Sequence, residues 1–254
     1  MLLLPEPDTK MKYYSKVGKP CQQMMMWWWK WKSLRTLFEN LIKPYFNESI
    51  LKRAVDKNIL SYDFYNPRDY SKNRHNKVDD TLYSGGAGML MTPQPLFDTL
   101  DDILSKNEDS YIIFPCAAAK LFTQKDAKRL SRKKHIVIVS GRYEGIDERV
   151  IEKYANEVFS IGEYILTGGE LPSLVIADCI SRNCDGVLGN KESLEIESYE
   201  NNLLESPSFT KPENFRGLSV IKEFLKGNHS KISKLKLQIS KYKTKYYRPN
   251  KELE

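Results

Sequence analysis

Three stretches of this 254-residue chain place glycine and polar side chains directly after short apolar runs. Ser140-Gly141-Arg142-Tyr143-Glu144-Gly145 follows the β-branched run HIVIV. Ser160-Ile161-Gly162-Glu163-Tyr164-Ile165-Leu166 follows a second apolar piece beginning at Glu157. Thr167-Gly168-Gly169 follows a third, Tyr164 to Leu166, and opens a helix expected from Pro172 to Arg182. In open α/β sheets, ligands settle at the carboxyl ends of the strands. Glycine there lets backbone N–H and C=O groups approach a bound molecule. Each loop alone is more often only a turn; three together would cradle one small molecule.

Other chemistries find little support. No GxGxxG follows a strand and no GxxxxGK[ST] is present, which speaks against the dinucleotide-binding and P-loop classes. GxSxG is absent, so a serine hydrolase is poorly supported. The four cysteines, at 21, 116, 179 and 184, form no CxxC pair. That argues against a structural zinc site and a disulfide scaffold, and fits a reducing cytoplasm. No metal-ligand set is read. Of the three histidines, His135 opens a strand and reads as structural. His75 and His229 lie among polar and basic residues, suited equally to RNA contact and to a plain surface. No run reaches the ~18 apolar residues of a membrane span.

The elements that must position these loops follow from periodicity. Residues 37–50 carry a helical stripe through Phe38, Leu41, Ile42, Tyr45 and Phe46. LSYDFY at 60–65 alternates like a strand. GGAG at 85–88 precedes a helical stretch to Leu104, and Tyr111 to Phe114 is a short strand. Thr123 and Asp126 are spaced as a capping box for a helix to Lys133. HIVIV is apolar throughout, the mark of a strand buried in a parallel sheet.

Charge divides the chain. The total is +7, but residues 33–219 hold 24 basic and 28 acidic side chains, whereas 220–254 hold ten basic and three acidic. A basic end offers a handle for phosphates. Four segments are expected: an atypical, disordered and dispensable extension at 1–32 containing MMMWWWKWK; a catalytic-type α/β domain at 33–188; a polar linker at 189–202; and a small, basic, mainly helical domain at 203–254. MLLLPEPDTK does not read as a signal peptide, and the extension reads equally as a misplaced start.

At this point the motifs carry a resemblance. SGRYEGIDERV (140–150), SIGEYILTGGELP (160–172), GVLGN (186–190), GNH (227–229), VDDTLYSGGAGM (78–89) and Pro67-Arg68-Asp69 resemble the bacterial tRNA (guanine-N1-)-methyltransferase family, TrmD, over most of the chain. The resemblance implies an α/β fold of the SPOUT type. Its C-terminal part is threaded into a deep trefoil knot and followed by a small, mainly helical tRNA-binding domain. It implies a cytoplasmic enzyme with no membrane attachment that methylates N1 of guanosine 37 in tRNA. S-adenosyl-L-methionine is the implied methyl donor, and an antiparallel homodimer is implied, with each active site at the subunit interface.

Carried over by residue, the resemblance gives Gly141 and Glu144 to the first donor-binding loop. Ile161, Gly162, Glu163, Tyr164, Ile165 and Leu166 belong to the second, and Gly168, Gly169 and Pro172 to the third. Arg182 matches the catalytic arginine, and Glu197 stands where the family has an aspartate base, with Glu195 as the alternative if the register slips by two. The chemistry asks for these types. N1 of guanine carries a proton that a base must remove, and a cation near O6 steadies the developing charge. Departures from the family pattern include Pro115-Cys116-Ala117-Ala118-Ala119 in the loop expected to flank the adenine, and Ser84 before the glycines. Lys32-Ser33-Leu34-Arg35 reads as a poor first strand. A non-catalytic RNA-binding protein of the same fold is the alternative reading.

Overall fold

Neighbouring residues of HIVIV face opposite sides of a sheet, and both sides are apolar. Ile136 and Ile138 join one buried cluster, while Val137 and Val139 join another. A strand apolar on both faces needs helices over both, which is the parallel α/β arrangement. A computed structural model, describing residues 30–35, 39–189, 197–199 and 202–249, has this architecture.

In chain order the elements begin with β1 (Lys30–Arg35), α1 (Lys43–Phe46), α2 (Ser49–Asp56), β2 (Leu60–Tyr65), β3 (Asp79–Asp80) and β4 (Leu90–Met91). They continue with α3 (Pro93–Lys106), β5 (Tyr111–Leu121), α4 (Gln124–Leu130), β6 (His135–Val139), α5 (Glu148–Tyr154), β7 (Glu157–Ser160) and α6 (Glu170–Arg182). A hairpin of β8 (Asn214–Phe215) and β9 (Leu218–Ser219), then α7 (Lys222–Leu225) and α8 (His229–Tyr247), complete the order. The main sheet runs β2-β1-β6-β5-β7, and every pairing in it is parallel. One face is covered by α1, α2, α4 and α6, through Ile42, Phe46, Leu51, Leu130, Ile176 and Ile180. The other is covered by α3 and α5, through Leu96, Leu100, Ile103, Val150 and Tyr154.

Several expectations change. The poor first strand is a full strand: β1 lies between β2 and β6, with Trp31 opposite both Ser61 and His135. Pairing on both sides overrides weak local propensity, as strand propensity allows. The sheet thus takes in residues 30–32, on the near side of the boundary expected at 33. The helix expected over 37–50 is divided. Residues 37 and 38 lie outside the described residues, Pro44 sits in the first turn of α1, and Ser49 adopts φ 55° before α2. Proline favours a fresh helix start over an interior position. Tyr164 to Leu166 is not a strand. These side chains are 54%, 82% and 39% exposed, and the segment is a loop between β7 and α6. The capping box does form: Asp126 N–H donates to Thr123 Oγ1 at 3.3 Å, and Thr123 N–H donates to Asp126 Oδ2 at 3.1 Å.

Candidate active site

The carboxyl ends of β5, β6 and β7 converge on one cavity of about 380 Å³, within the size range of small-molecule sites. The loop after β6 is anchored from three directions. Ser140 Oγ lies 2.7 Å from Ser173 Oγ on α6, Glu144 N–H donates to Met89 O at 2.9 Å, and Arg142 Nε donates to Glu170 Oε1 at 2.9 Å. Glu170 is 3% exposed and opens α6, so this ion pair ties the first loop to the start of the helix. Tyr143 holds φ 58° and lines the cavity. A non-glycine residue in that region is a local strain of the kind that collects at functional sites.

The loop after β7 is organised by its first residue. Ser160 Oγ accepts from Gly162 N–H at 3.2 Å and donates to Gly162 O at 2.9 Å. The Tyr164 ring lies against Gly162, and a Cβ there would clash with the ring's Cε1 edge. The third loop brings two backbones into contact. Gly169 N–H donates to Gly141 O at 2.7 Å, and a Cβ on Gly169 would stand 2.6 Å from the Gly141 nitrogen. Glycine is required at 169 by this crossing.

The cavity lining contains Gly141, Glu144, Ile161, Gly162, Tyr164, Ile165, Leu166, Gly168, Gly169 and Pro172 together. Glu163 is exposed and is not part of that lining. Tyr143 and Gly145, within the first glycine loop but not singled out there, also line the cavity, and Ile146 and Ile151 were not foreseen. Sequence reasoning quoted residues 115–118 only as a departure, yet they form one wall. The signal available for them was β5 itself, since a strand ending at Phe114 left no account of the apolar Pro-Cys-Ala run. GGAG also gains a role: Gly88, at φ 102°, lies so close to Glu144 that a Cβ would sit 2.6 Å from its side chain.

Arg182 and Glu197 form a second centre. Arg182 Nη1 donates to Glu197 Oε2 at 2.7 Å and Nη2 donates to Glu197 Oε1 at 2.6 Å, a bidentate pair with both side chains partly buried. The bond to Glu197 holds the Arg182 guanidinium's pKa above its ordinary value. One turn earlier, burial pushes the Asp178 carboxyl up, against the opposing pull of Arg182. Glu195 lies outside the described residues. Neither Arg182 nor Glu197 lines the cavity. Arg182 ends α6 whereas Gly169 caps its start, a separation of about 20 Å at 1.5 Å per residue.

Among the described residues, no group of three His, Cys, Asp or Glu side chains is placed to hold a metal ion, and no helix is long and apolar enough to cross a membrane. Known proteins match this chain closely. The family model described as tRNA (Guanine-1)-methyltransferase TrmD matches residues 31–253. A tRNA (guanine-N(1)-)-methyltransferase of Sulfurimonas denitrificans is 64% identical over 219 residues, covering 86% of this chain and 95% of that protein. One from Sulfurovum is 59% identical over 218 residues, covering 86% and 96%. One from Campylobacter jejuni is 56% identical over 226 residues, covering 87% and 97%. With a match across nearly all of both chains, and with the motif loops gathered on one cavity, the chain belongs to the tRNA (guanine-1)-methyltransferase TrmD family.

Proposed function

We propose that this protein transfers a methyl group from S-adenosyl-L-methionine to N1 of guanosine 37 in tRNA, in the cytoplasm and as an antiparallel homodimer. The observation that carries the reading is the single cavity gathering residues from three loops at the carboxyl edge of a parallel sheet. Its walls suit the donor. Ile161, Leu166 and Pro172 offer an apolar slot for a flat base, and the glycines bring backbone polar groups to the surface. The close crossing of Gly169 over Gly141 supports a SPOUT-type threading of these loops. The basic helix α8 supports the reading of 203–254 as a tRNA-binding domain.

The donor, when bound, supplies an electrophilic methyl group on a sulfonium. Everything else falls to the chain. Glu197 accepts the N1 proton as the N1–carbon bond forms and the carbon–sulfur bond breaks. Arg182 donates toward O6, where negative charge grows as that proton leaves. Their mutual pairing is compatible with both tasks. Each carboxylate oxygen has a second lone pair, and a guanidinium with five N–H donors keeps three after a bidentate contact.

The distance between the two centres supports the dimer. Within one chain, α6 holds the cavity at one end and Arg182 at the other. A second subunit that brings its own Arg182 and Glu197 to the cavity would let a target base meet both. The outer side of α6 offers a surface for this: Leu171 and Val175 are 60% and 43% exposed, beside Leu41 at 61% and Tyr45 at 47%. Such an unpaired apolar strip suits a self-complementary contact. The deciding experiment incubates the protein and donor with a tRNA transcript bearing guanosine 37, followed by mass spectrometry of its nucleosides. N1-methylguanosine at that position is expected; an unmodified transcript with folded, donor-saturated protein would overturn the reading.

A further inference from the structure

Strand β5 does not run straight beside β7. Pro115 and Lys120 both pair with Phe159, so residues 116–119 leave the ladder as a four-residue flap. Cys116, Ala117 and Ala118 are exposed and line the cavity. Three of the four flap residues are alanine, and an alanine side chain has no polar group with which to anchor itself. The flap's position is therefore governed by its two ends. The upstream end is secured by Phe114, 1% exposed in the core.

The downstream end is Lys120. Its Nζ lies 2.7 Å from Glu157 Oε2 and 4.7 Å from the centroid of the Phe159 ring. Glu157 is a firm anchor: Arg129 contacts it at 2.8 and 2.9 Å, and the Tyr111 hydroxyl donates to it at 2.6 Å. Burial would raise the Glu157 carboxyl, but the bonds from Arg129, Lys120 and Tyr111 outweigh it and hold the pKa below its ordinary value. The next pair along, Leu121 with Ser160, reaches the residue that organises the second loop. The backbone pairs at Lys120 and Leu121 and the Phe122 N–H bond to Ser160 O return the chain to β7, and the Lys120 side chain adds a clamp at the point where the flap ends.

We infer that Lys120 is a positioning residue for the methyl donor, clamping the 116–119 flap to β7 through Glu157 so that the flap backbone forms a wall of the donor site. The inference rests on the reading of the cavity given above. It does not assign Lys120 any contact with the reacting atoms.

The test compares the full chain with Lys120→Ala and Lys120→Arg. Three quantities are measured: amide hydrogen exchange over 116–119 without ligand, calorimetric affinity for S-adenosyl-L-methionine, and single-turnover methylation at saturating donor. Lys120→Ala is expected to speed exchange in the flap and weaken donor affinity about three- to tenfold, the worth of an exposed ion pair plus a cation–π contact. Its saturated single-turnover rate should match the wild type, and Lys120→Arg, which keeps charge and ring contact, should restore affinity. Unchanged flap exchange or unchanged donor affinity in Lys120→Ala would overturn the inference. So would a loss of affinity that merely follows a fall in melting temperature and is not restored by arginine. A wild-type chain that bound no donor would instead overturn the reading of the cavity, while the ligand-free exchange comparison would still decide whether Lys120 holds the flap.

Discussion

At the scale of single residues, the carboxylate at 197 is the most exacting assignment. Glu197 meets Arg182 through both oxygens, so removing its charge affects the proposed base and its partner together. Glu197→Gln keeps size and polarity but cannot take the N1 proton, and single-turnover methylation should fall about 10²–10⁴-fold. Donor affinity should be nearly unchanged, because Glu197 is not part of the three loops that line the cavity. Glu197→Asp restores the family's residue with a shorter reach, and a slower transfer would show that the surroundings have adjusted to glutamate. Glu195→Gln should be mild. Full activity in Glu197→Gln combined with loss in Glu195→Gln would move the base by two positions. Gly162 is a separate case. The Tyr164 ring occupies the space a side chain would need, so Gly162→Val must displace that ring from the cavity wall. Donor affinity should weaken tenfold or more, about 1.4 kcal/mol, in a titration of folded protein. Unchanged affinity would remove the second loop from the donor site.

At the scale of elements, β1 is decisive. It lies between β2 and β6, and Lys30 to Lys32 pair with Leu60 to Tyr62 on one side, while Trp31 and Lys32 pair with His135 and Ile136 on the other. A chain begun at Ser33 loses half of the strand that joins β2 to the rest of the sheet. It should fold poorly or melt well below the full chain, followed by circular dichroism. A chain begun at Lys30 should keep its melting temperature and donor affinity, in keeping with a family match that starts at residue 31. Equal stability of both truncations would show that the sheet tolerates loss of these pairs. The pairing of residues 30–32 speaks against the expectation that everything before Ser33 is dispensable. Residues 1–29 lie outside the described residues.

At the scale of the whole molecule, the placing of two centres at opposite ends of α6 makes a prediction about subunits. Take Gly162→Val as a variant with a damaged cavity and Arg182→Ala as one with a damaged Arg182–Glu197 pair. Assayed at donor far below saturation, each alone should keep about a tenth of wild-type activity or less. If one subunit's cavity works with its partner's Arg182 and Glu197, mixed dimers contain one intact site. Random mixing of equal amounts should then recover about a quarter of wild-type activity, from the statistics of a two-fold dimer. Mixing after subunit exchange, read by methyl transfer to tRNA, checks this. No recovery despite demonstrated exchange would mean that each site is built within one chain.

The sequence by itself determined the residue types and most elements. The all-apolar run HIVIV marked a strand buried in a parallel sheet, and the glycine loops marked the edge where the cavity lies. The Thr123–Asp126 spacing marked a cap that forms as read. These are legible because they depend on periods of two to four residues. Three other features were decided only by the tertiary structure. Residues 32–35 look unlike a strand until β2 and β6 supply partners on both sides. Residues 164–166 look like a strand, but find no neighbouring strand and stay exposed as a loop. The flap at 116–119 becomes a cavity wall because Phe159 pairs with β5 twice. In each case the deciding contact joins residues about 30 to 100 positions apart, or fails to form at all. Local spacing carries no information about such pairings, because they exist only once the sheet has packed.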